Sequence, residues 1–328
     1  MKFRLITPLI PKSLAPWIRA LGSCFIVASA HAGDVPHVVS SGTPHDMLYA
    51  VSLEDSHGIA VGDAGLVMVS NDGGSTWSRQ GARPTDLALL SVARKSGRCL
   101  AGGQSGLILV APDCTAWHKA DSGTEERIFS VDMNRKHLAY AAGAFGTLLR
   151  SEDGGKAWTS IEIPWDQVLG DIAEPHLYAV KVLDSGDALV AGEFGLMLRI
   201  DPQGQWTVLH KGKRSLFNLV TTADGVIFAV GQEGVILKSE DRGTHWRELE
   251  SGTAAILTSV WADDRRDIVV GGVNTLLSSR DGGATWHMPP SALVRRNWQL
   301  DLAASEGAGE RPRIISVGSG GKVMTFTP

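Results

Sequence analysis

Gly143-Ala144-Phe145-Gly146-Thr147-Leu148-Leu149-Arg150-Ser151-Glu152-Asp153-Gly154-Gly155-Lys156-Ala157-Trp158 is the stretch that decides the fold. Two glycines three apart lead into an apolar run, then a Ser-x-Asp-Gly-Gly turn, then a tryptophan. The tryptophan returns as Trp77, Trp117, Trp158, Trp206, Trp246 and Trp286, with gaps of 40, 41, 48, 40 and 40 residues. The glycine pair returns as Gly62 and Gly65, Gly103 and Gly106, Gly143 and Gly146, Gly192 and Gly195, Gly231 and Gly234, Gly271 with Asn274, and Gly318 with Gly321. Seven copies at a period of about 40 to 50 residues mark a repeat architecture, which must be read before any single residue is given a role.

Each copy divides into four short strands: an L-x-x-V-like run such as Leu48 to Val51, a run into the first glycine, an apolar run after the second, and the tryptophan segment. Short apolar runs punctuated by Gly, Asp, Asn and Ser are strand and hairpin signals, and glycine tolerates positive φ. Four strands per unit predict an all-β, seven-bladed β-propeller. The seventh copy ends at Pro328 without its tryptophan strand, while Pro36 to Ser40 precede Ser41-Gly42-Thr43 in the register of a fourth strand. The expectation is that this N-terminal strand completes the C-terminal blade and closes the ring, removing an exposed edge.

The N-terminus reads as an export signal. Lys2, Arg4, Lys12 and Arg19 precede the apolar stretch Ala20 to Ala30, and Ala30-His31-Ala32 has the A-x-A form of a cleavage site. Residues 1–32 are therefore expected to be a signal peptide cleaved near Ala32, and residues 33–328 a propeller in the periplasm or an equivalent lumen. Leu21-Gly22-Ser23-Cys24 has some lipoprotein character, but the apolar run continues past the cysteine. Without the four leading cations, 27 basic residues stand against 35 acidic ones, a balance of −8 that argues against a nucleic-acid partner. Cys99 and Cys114 flank the second blade's central hairpin; an oxidising compartment permits a disulfide, and two free thiols are the alternative.

The turn Ser70-x-Asp72-x-Gly74-x-Thr76-Trp77 has the form of the Asp-box of BNR repeats, repeated at Asp153 and Trp158, Asp241 and Trp246, and Asp281 and Trp286. Its chemistry reads as structural, with the carboxylate accepting backbone N–H groups and the indole filling space beside a strand. Asp-boxes also occur in sialidases and some endoglucanases, so a glycoside hydrolase is the alternative function. That chemistry would have to draw on Tyr49, Tyr140 or Tyr178 and on carboxylates such as Asp171, Asp263 and Asp264. Nothing in their spacing requires it, and no catalytic residue is assigned. The ten histidines show no metal-ligand spacing, no phosphate-binding loop is present, and no metal or small-molecule cofactor is expected.

The unit G-x-x-G-x-[IL]-x-R-[ST]-x-D-G-G-x-x-W resembles the photosystem II assembly and stability factor family, and the likeness spans residues 33 to 328. The resemblance implies an exported, non-catalytic propeller that binds a membrane protein or membrane-protein complex, in photosynthetic members a reaction-centre subunit, on its lumenal side. It also implies a basic patch from the cation four residues after the second glycine. Arg150, Arg199 and Lys238 match, whereas Val69, Val110, Ser278 and Thr325 depart. Each cation has a plainer reading, snorkelling from the end of its apolar strand or pairing with an Asp-box carboxylate such as Asp153 or Asp241. The long link from Trp158 to Leu177, with Trp165, Val168, Leu169 and Ile172, is a second candidate contact; it is expected on the rim of the glycine-pair turns, and folding back over a blade is its alternative. His210 to Arg214 and Arg295-Arg296 are expected on that same rim.

Overall fold

The computed structural model describes residues 35–170, 174–305 and 311–328. The expected signal peptide and its cleavage site at Ala32, and Asp171 and Ile172 of the long link, lie outside these residues. The described chain forms seven antiparallel sheets. Blade one has strands Leu48–Glu54, His57–Gly62, Val67–Ser70 and Ser78–Arg79, hydrogen-bonded in that order, and blades two to five repeat the pattern. First strands pack on the first strands of both neighbouring blades, so they form the inner wall of the ring and the tryptophan strands its outside. The core is laid down between adjacent sheets; Ile59, Val61 and Val67 of blade one, for example, pack on Leu89, Ala101 and Leu109 of blade two.

Closure takes the expected form. Blade seven comprises Gln299–Ser305, Arg313–Gly318 and Val323–Phe326, with the N-terminal His37–Ser40 as its outer strand. That strand runs antiparallel to the C-terminal one, His37 opposite Thr325 and Val38 opposite Met324. On the inner wall, Asp301 Oδ2 of blade seven accepts the Val51 N–H of blade one at 2.9 Å. Similar side-chain ties join other inner strands: Ser91 Oγ accepts the Val131 N–H at 3.0 Å, and Asp132 Oδ2 accepts the Val182 N–H at 2.8 Å.

The glycine pair has two distinct jobs. The first glycine is extended (φ −164 at Gly62), and a Cβ there would lie 1.9 Å from the Met47 carbonyl at the entry to its own blade. The second glycine faces the entry of the next blade: a Cβ on Gly65 would lie 1.9 Å from Thr85 O, and one on Gly106 would lie 1.8 Å from Thr124 O. Its N–H also reaches across, from Gly65 to Leu87 O at 2.8 Å and from Gly321 of blade seven to Asp46 O at 2.8 Å. The motif therefore clamps one blade to the next. Positive φ falls not only on the second glycine but also on the residue before it, such as Ala64 at 47° and Phe145 at 49°.

Two blades depart. In blade six the second strand runs on to Gly272, one residue beyond the glycine singled out in the sequence, and a Cβ on Gly272 would lie 2.3 Å from Ile256 O. This blade has three strands, and its tryptophan segment contributes only the Ser278–His287 bridge. The reason is local. Three residues after their tryptophans, Gln80, Ile161 and Leu249 each donate an N–H to the third strand, whereas Pro289 has none to give. In blade two, where the Asp-box is eroded, a disulfide joins Cys99 and Cys114 with their Cα atoms 5.0 Å apart.

Two outcomes test the closure. Deleting residues 35–40 removes about three to four ladder hydrogen bonds and bares an edge, so thermal and denaturant unfolding should show a loss on the order of 3 kcal/mol; an unchanged midpoint would contradict it. Burial raises the Asp301 pKa to about 6, against the opposing pull of the Val51 and Leu302 N–H groups and of Lys181. A carboxyl whose folded value is raised contributes stability below its unfolded value that is lost as pH rises through the folded one. Wild type should therefore lose stability relative to Asp301→Asn between roughly pH 4 and pH 6, read as diverging urea midpoints; parallel profiles would contradict the assignment.

Candidate functional site

The Asp-box turns consume their own polar groups. Asp72 Oδ1 accepts the Thr76 N–H at 2.8 Å and the Ser70 hydroxyl at 2.9 Å, and its Oδ2 accepts the Thr76 hydroxyl at 2.6 Å. Asp153, Asp241 and Asp281 repeat the arrangement with the N–H of Ala157, His245 and Thr285. These bonds hold Asp72 near a pKa of about 2, chiefly through the Thr76 hydroxyl, and Asp241 at about 2, chiefly through the His245 N–H. Trp77, Trp158 and Trp246 donate their indole N–H to Gly74, Gly155 and Gly243 within the same turns, while Trp286 Nε1 has no partner among the described residues. The second turn glycine then wedges against the preceding blade: a Cβ on Gly155 would lie 2.4 Å from Leu100, and one on Gly283 would lie 2.4 Å from Leu249.

The three aligned cations do not share one open surface. Arg150 pairs with Glu152 at 2.9 Å and donates to Pro202 O of the next blade at 3.0 Å. Lys238 is buried; it pairs with Glu240 at 2.6 Å, reaches Gly282 O of blade six, and lies 5.6 Å from the centre of the Phe228 ring. Arg199 pairs with Asp187 at 2.8 Å but keeps 43% of its side chain exposed. The partners are thus Glu152, Asp187 and Glu240 rather than the Asp-box carboxylates, and the contiguous patch expected from the alignment is reduced to Arg199.

Trp165 is a second correction. It opens the short helix Trp165–Leu169, is 8% exposed, and packs with Tyr140, Leu148, Leu177 and Leu196 between blades three and four. Its indole lies where a Gly146 Cβ would be, 2.2 Å from Nε1. The long link folds back over the blades, and this tryptophan is a core residue rather than an exposed contact. The link does lie on the glycine-pair rim, where Lys211 Nζ donates to Val168 O at 3.0 Å.

Two surface features emerge that the sequence reading did not single out. On the Asp-box side, around the first hairpin turns of blades three to five, lies a depression of about 770 Å³. Lys95, Arg135, Lys181, Arg199 and Arg242 line it with only Asp184 and Asp187 as carboxylates. Arg135 pairs with Asp184 at 2.9 Å and Lys181 with Asp132 at 3.2 Å. On the opposite side, half-buried aromatic rings stand at the second position of successive inner strands, Phe129, Tyr178 and Phe217, in edge or tilted contact at 5.0 to 5.4 Å.

Groups that hydrolytic chemistry would draw on are otherwise engaged. Burial, helped by Asp63 and Glu193, pushes Tyr49 and Tyr178 up to about 12, and burial raises Tyr140; a nucleophile needs the opposite shift. Asp263 caps its own turn by accepting the Arg265 and Asp267 N–H groups, and Asp264 accepts the Ala223 N–H at 2.8 Å. Among the described residues no cluster of His, Cys, Asp or Glu is placed to hold a metal ion, and no helix is long and apolar enough to cross a membrane.

No protein-family model matches this chain. Over 72 residues, 22% of this chain and 16% of the relative's length, it is 39% identical to the chloroplast photosystem II stability/assembly factor HCF136 of Arabidopsis thaliana. Its fold matches YCF48 bound to D1 peptide with a TM-score of 0.69 at 18% identity, over 90% of this chain and 96% of that one. It also matches a GH74 xyloglucanase from Xanthomonas campestris with a TM-score of 0.70 at 15% identity, over 90% of this chain and 53% of the enzyme, so the architecture alone does not separate scaffold from hydrolase. The chain is a seven-bladed β-propeller, similar in fold along the ring to YCF48 and in sequence along that shorter stretch to a photosystem II stability/assembly factor.

Proposed function

We propose that this chain is an exported, non-catalytic scaffold that holds a membrane protein or membrane-protein complex on its periplasmic or lumenal side during assembly. The observation that carries the reading is the cationic depression, five basic side chains against two carboxylates on a body that is acidic as a whole. Such a concentration of charge suits an acidic extramembrane segment and steers its approach. The raised tyrosines and the self-bonded Asp-box carboxylates favour a scaffold over a hydrolase. The description of YCF48 bound to D1 peptide supports a membrane-protein partner for a propeller of this shape. The A-x-A site at Ala30 to Ala32 supports export.

Lys95 and Arg242 suit a test, since among the described residues neither forms an ion pair. Crosslinking in intact cells, purification and mass spectrometry should recover a membrane protein with wild type. Lys95→Glu with Arg242→Glu should lower that yield about tenfold or more, with an unchanged melting temperature. Equal recovery with the double variant, or no membrane protein with wild type, would overturn the reading.

A further inference from the structure

The face opposite the cationic depression carries a second, chemically different site. The left-handed position in these turns, just before the second glycine or, in blade six, before Thr275, is occupied by Ala64, Ser105, Phe145, Phe194, Glu233, Asn274 and Gly320 around the ring, with φ between 47° and 72°. A bulky side chain is poorly suited to that conformation, and where one persists the strain points to a use. Burial does not explain Phe145, which is 58% exposed. Its ring stands edge-on to His176 at 4.9 Å, and His176 in turn faces Phe129 at 5.8 Å. His176 Nδ1 accepts the Phe145 N–H at 3.2 Å, which fixes the strained turn against the next blade.

These rings border a cavity of about 540 Å³ whose charged lining is Glu125, Glu126 and Arg127. Among the described residues neither glutamate side chain has an ion-pair or hydrogen-bond partner. The Arg127 guanidinium lies 6.0 Å from the centre of the Phe129 ring, so one ring already faces a cation. An exposed aromatic wall beside two unpaired carboxylates is complementary to an apolar side chain next to a positive one.

We infer that this cavity docks an extended partner segment in which an aromatic or aliphatic residue adjoins lysine or arginine. The apolar side chain lies against the wall formed by Phe145, His176 and Phe129, and the cation lies beside Glu125 and Glu126. The inference rests on the scaffold reading and adds a second contact, on the opposite side of the ring and of opposite charge preference. An anionic lipid surface is the poorer fit, because both free carboxylates would face it.

Fluorescence anisotropy with short labelled Gly-Ser peptides tests the site directly. The probes carry a Phe-Arg-Phe-Lys centre, the same centre with both phenylalanines changed to alanine, or the same centre with both cations changed to glutamate. The first should bind about tenfold or more tighter than the others. Phe145→Ala, and separately Glu125→Gln with Glu126→Gln, should weaken it about fivefold or more. Alanine occupies the equivalent turn at Ala64, so Phe145→Ala should keep its melting temperature, and Lys95→Glu with Arg242→Glu should leave peptide binding unchanged. No preference among the peptides, or binding indifferent to Phe145→Ala, would overturn the inference. So would flotation with phosphatidylglycerol vesicles, or self-association on sedimentation, that Phe145→Ala abolishes. If the peptides fail while membrane-protein capture persists, this site falls and the scaffold reading stands; loss of capture alone sinks the scaffold reading.

Discussion

The ring depends on one close approach of backbone to backbone. In the standard glycine-pair turn a Cβ-free residue sits against the carbonyl at the entry of its own blade, and a second one sits against the entry of the next, as Gly62 does on Met47 and Gly65 on Thr85. The distances left for a Cβ, 1.9 Å in both cases, exclude every side chain. Because the N–H of the second glycine also donates across the junction, steric and hydrogen-bonding requirements meet at one residue. A repeat that satisfies both has its rotation to the next blade set, and at the last junction Gly321 comes against Gly42 and Asp46. The outer pairing of His37–Ser40 with Val323–Phe326 then secures a circle that the turns have already shaped.

Where a copy lacks part of the standard turn, the structure shows a local difference rather than a lost blade. Blade two has no Ser-x-Asp turn, and it carries the Cys99–Cys114 bond beside a Trp117 whose indole donates to Gln80 of the preceding blade. Blade six has Pro289 where an N–H is needed and keeps only a bridge of its outer strand; Val294 of the short helix Ala292–Arg295 packs with Leu276 beside it. Such tolerance follows from the geometry. The outer strand contacts little beyond its own sheet, while the inner strands and the turns carry the contacts between blades.

Fold and site were legible to different degrees for physical reasons. Blade number and closure follow from spacing along the chain, and spacing is what a sequence records. The side chains of Arg150 and Lys238 are settled by neighbours two residues on, Glu152 and Glu240; residues i and i+2 of a strand share a face, so those pairs were available to a closer reading. Pro289, three after Trp286, was equally available. Arg199 finds Asp187 only through the pairing of two strands, and Trp165 finds its place only because Gly146 of blade three leaves a space. The cationic depression draws its lining from several blades, with Lys95, Arg135 and Arg242 in unrelated slots of the repeat, so no single period displays it. The aromatic residues do share a slot, Phe129, Tyr178 and Phe217 after Ile128, Leu177 and Leu216, and that alternation was the available signal.

The two sides of the ring differ in what they do with carboxylates, and this decides what each can recognise. On the Asp-box side, acidic groups are spent on their own loops: Asp72, Asp153, Asp241 and Asp281 accept the N–H groups of their turns, and Asp187 and Asp184 hold arginines. What is left over in the depression there, among the described residues, is positive charge at Lys95 and Arg242. On the glycine-pair side the turns are built mainly from backbone groups, with the side chains of Gln104, Glu193 and Gln232 accepting one entry N–H each in blades two, four and five. Tyr49 and Tyr178 engage Asp63 and Glu193 through their hydroxyls, but among the described residues Glu125 and Glu126 remain uncommitted beside the exposed Phe145 ring. The same strand directions that send every Asp-box to one rim and every glycine pair to the other therefore set a cationic depression on one side and an aromatic, acidic cavity on the other. A partner able to touch both would have its orientation on the ring set by charge alone, before any close packing forms.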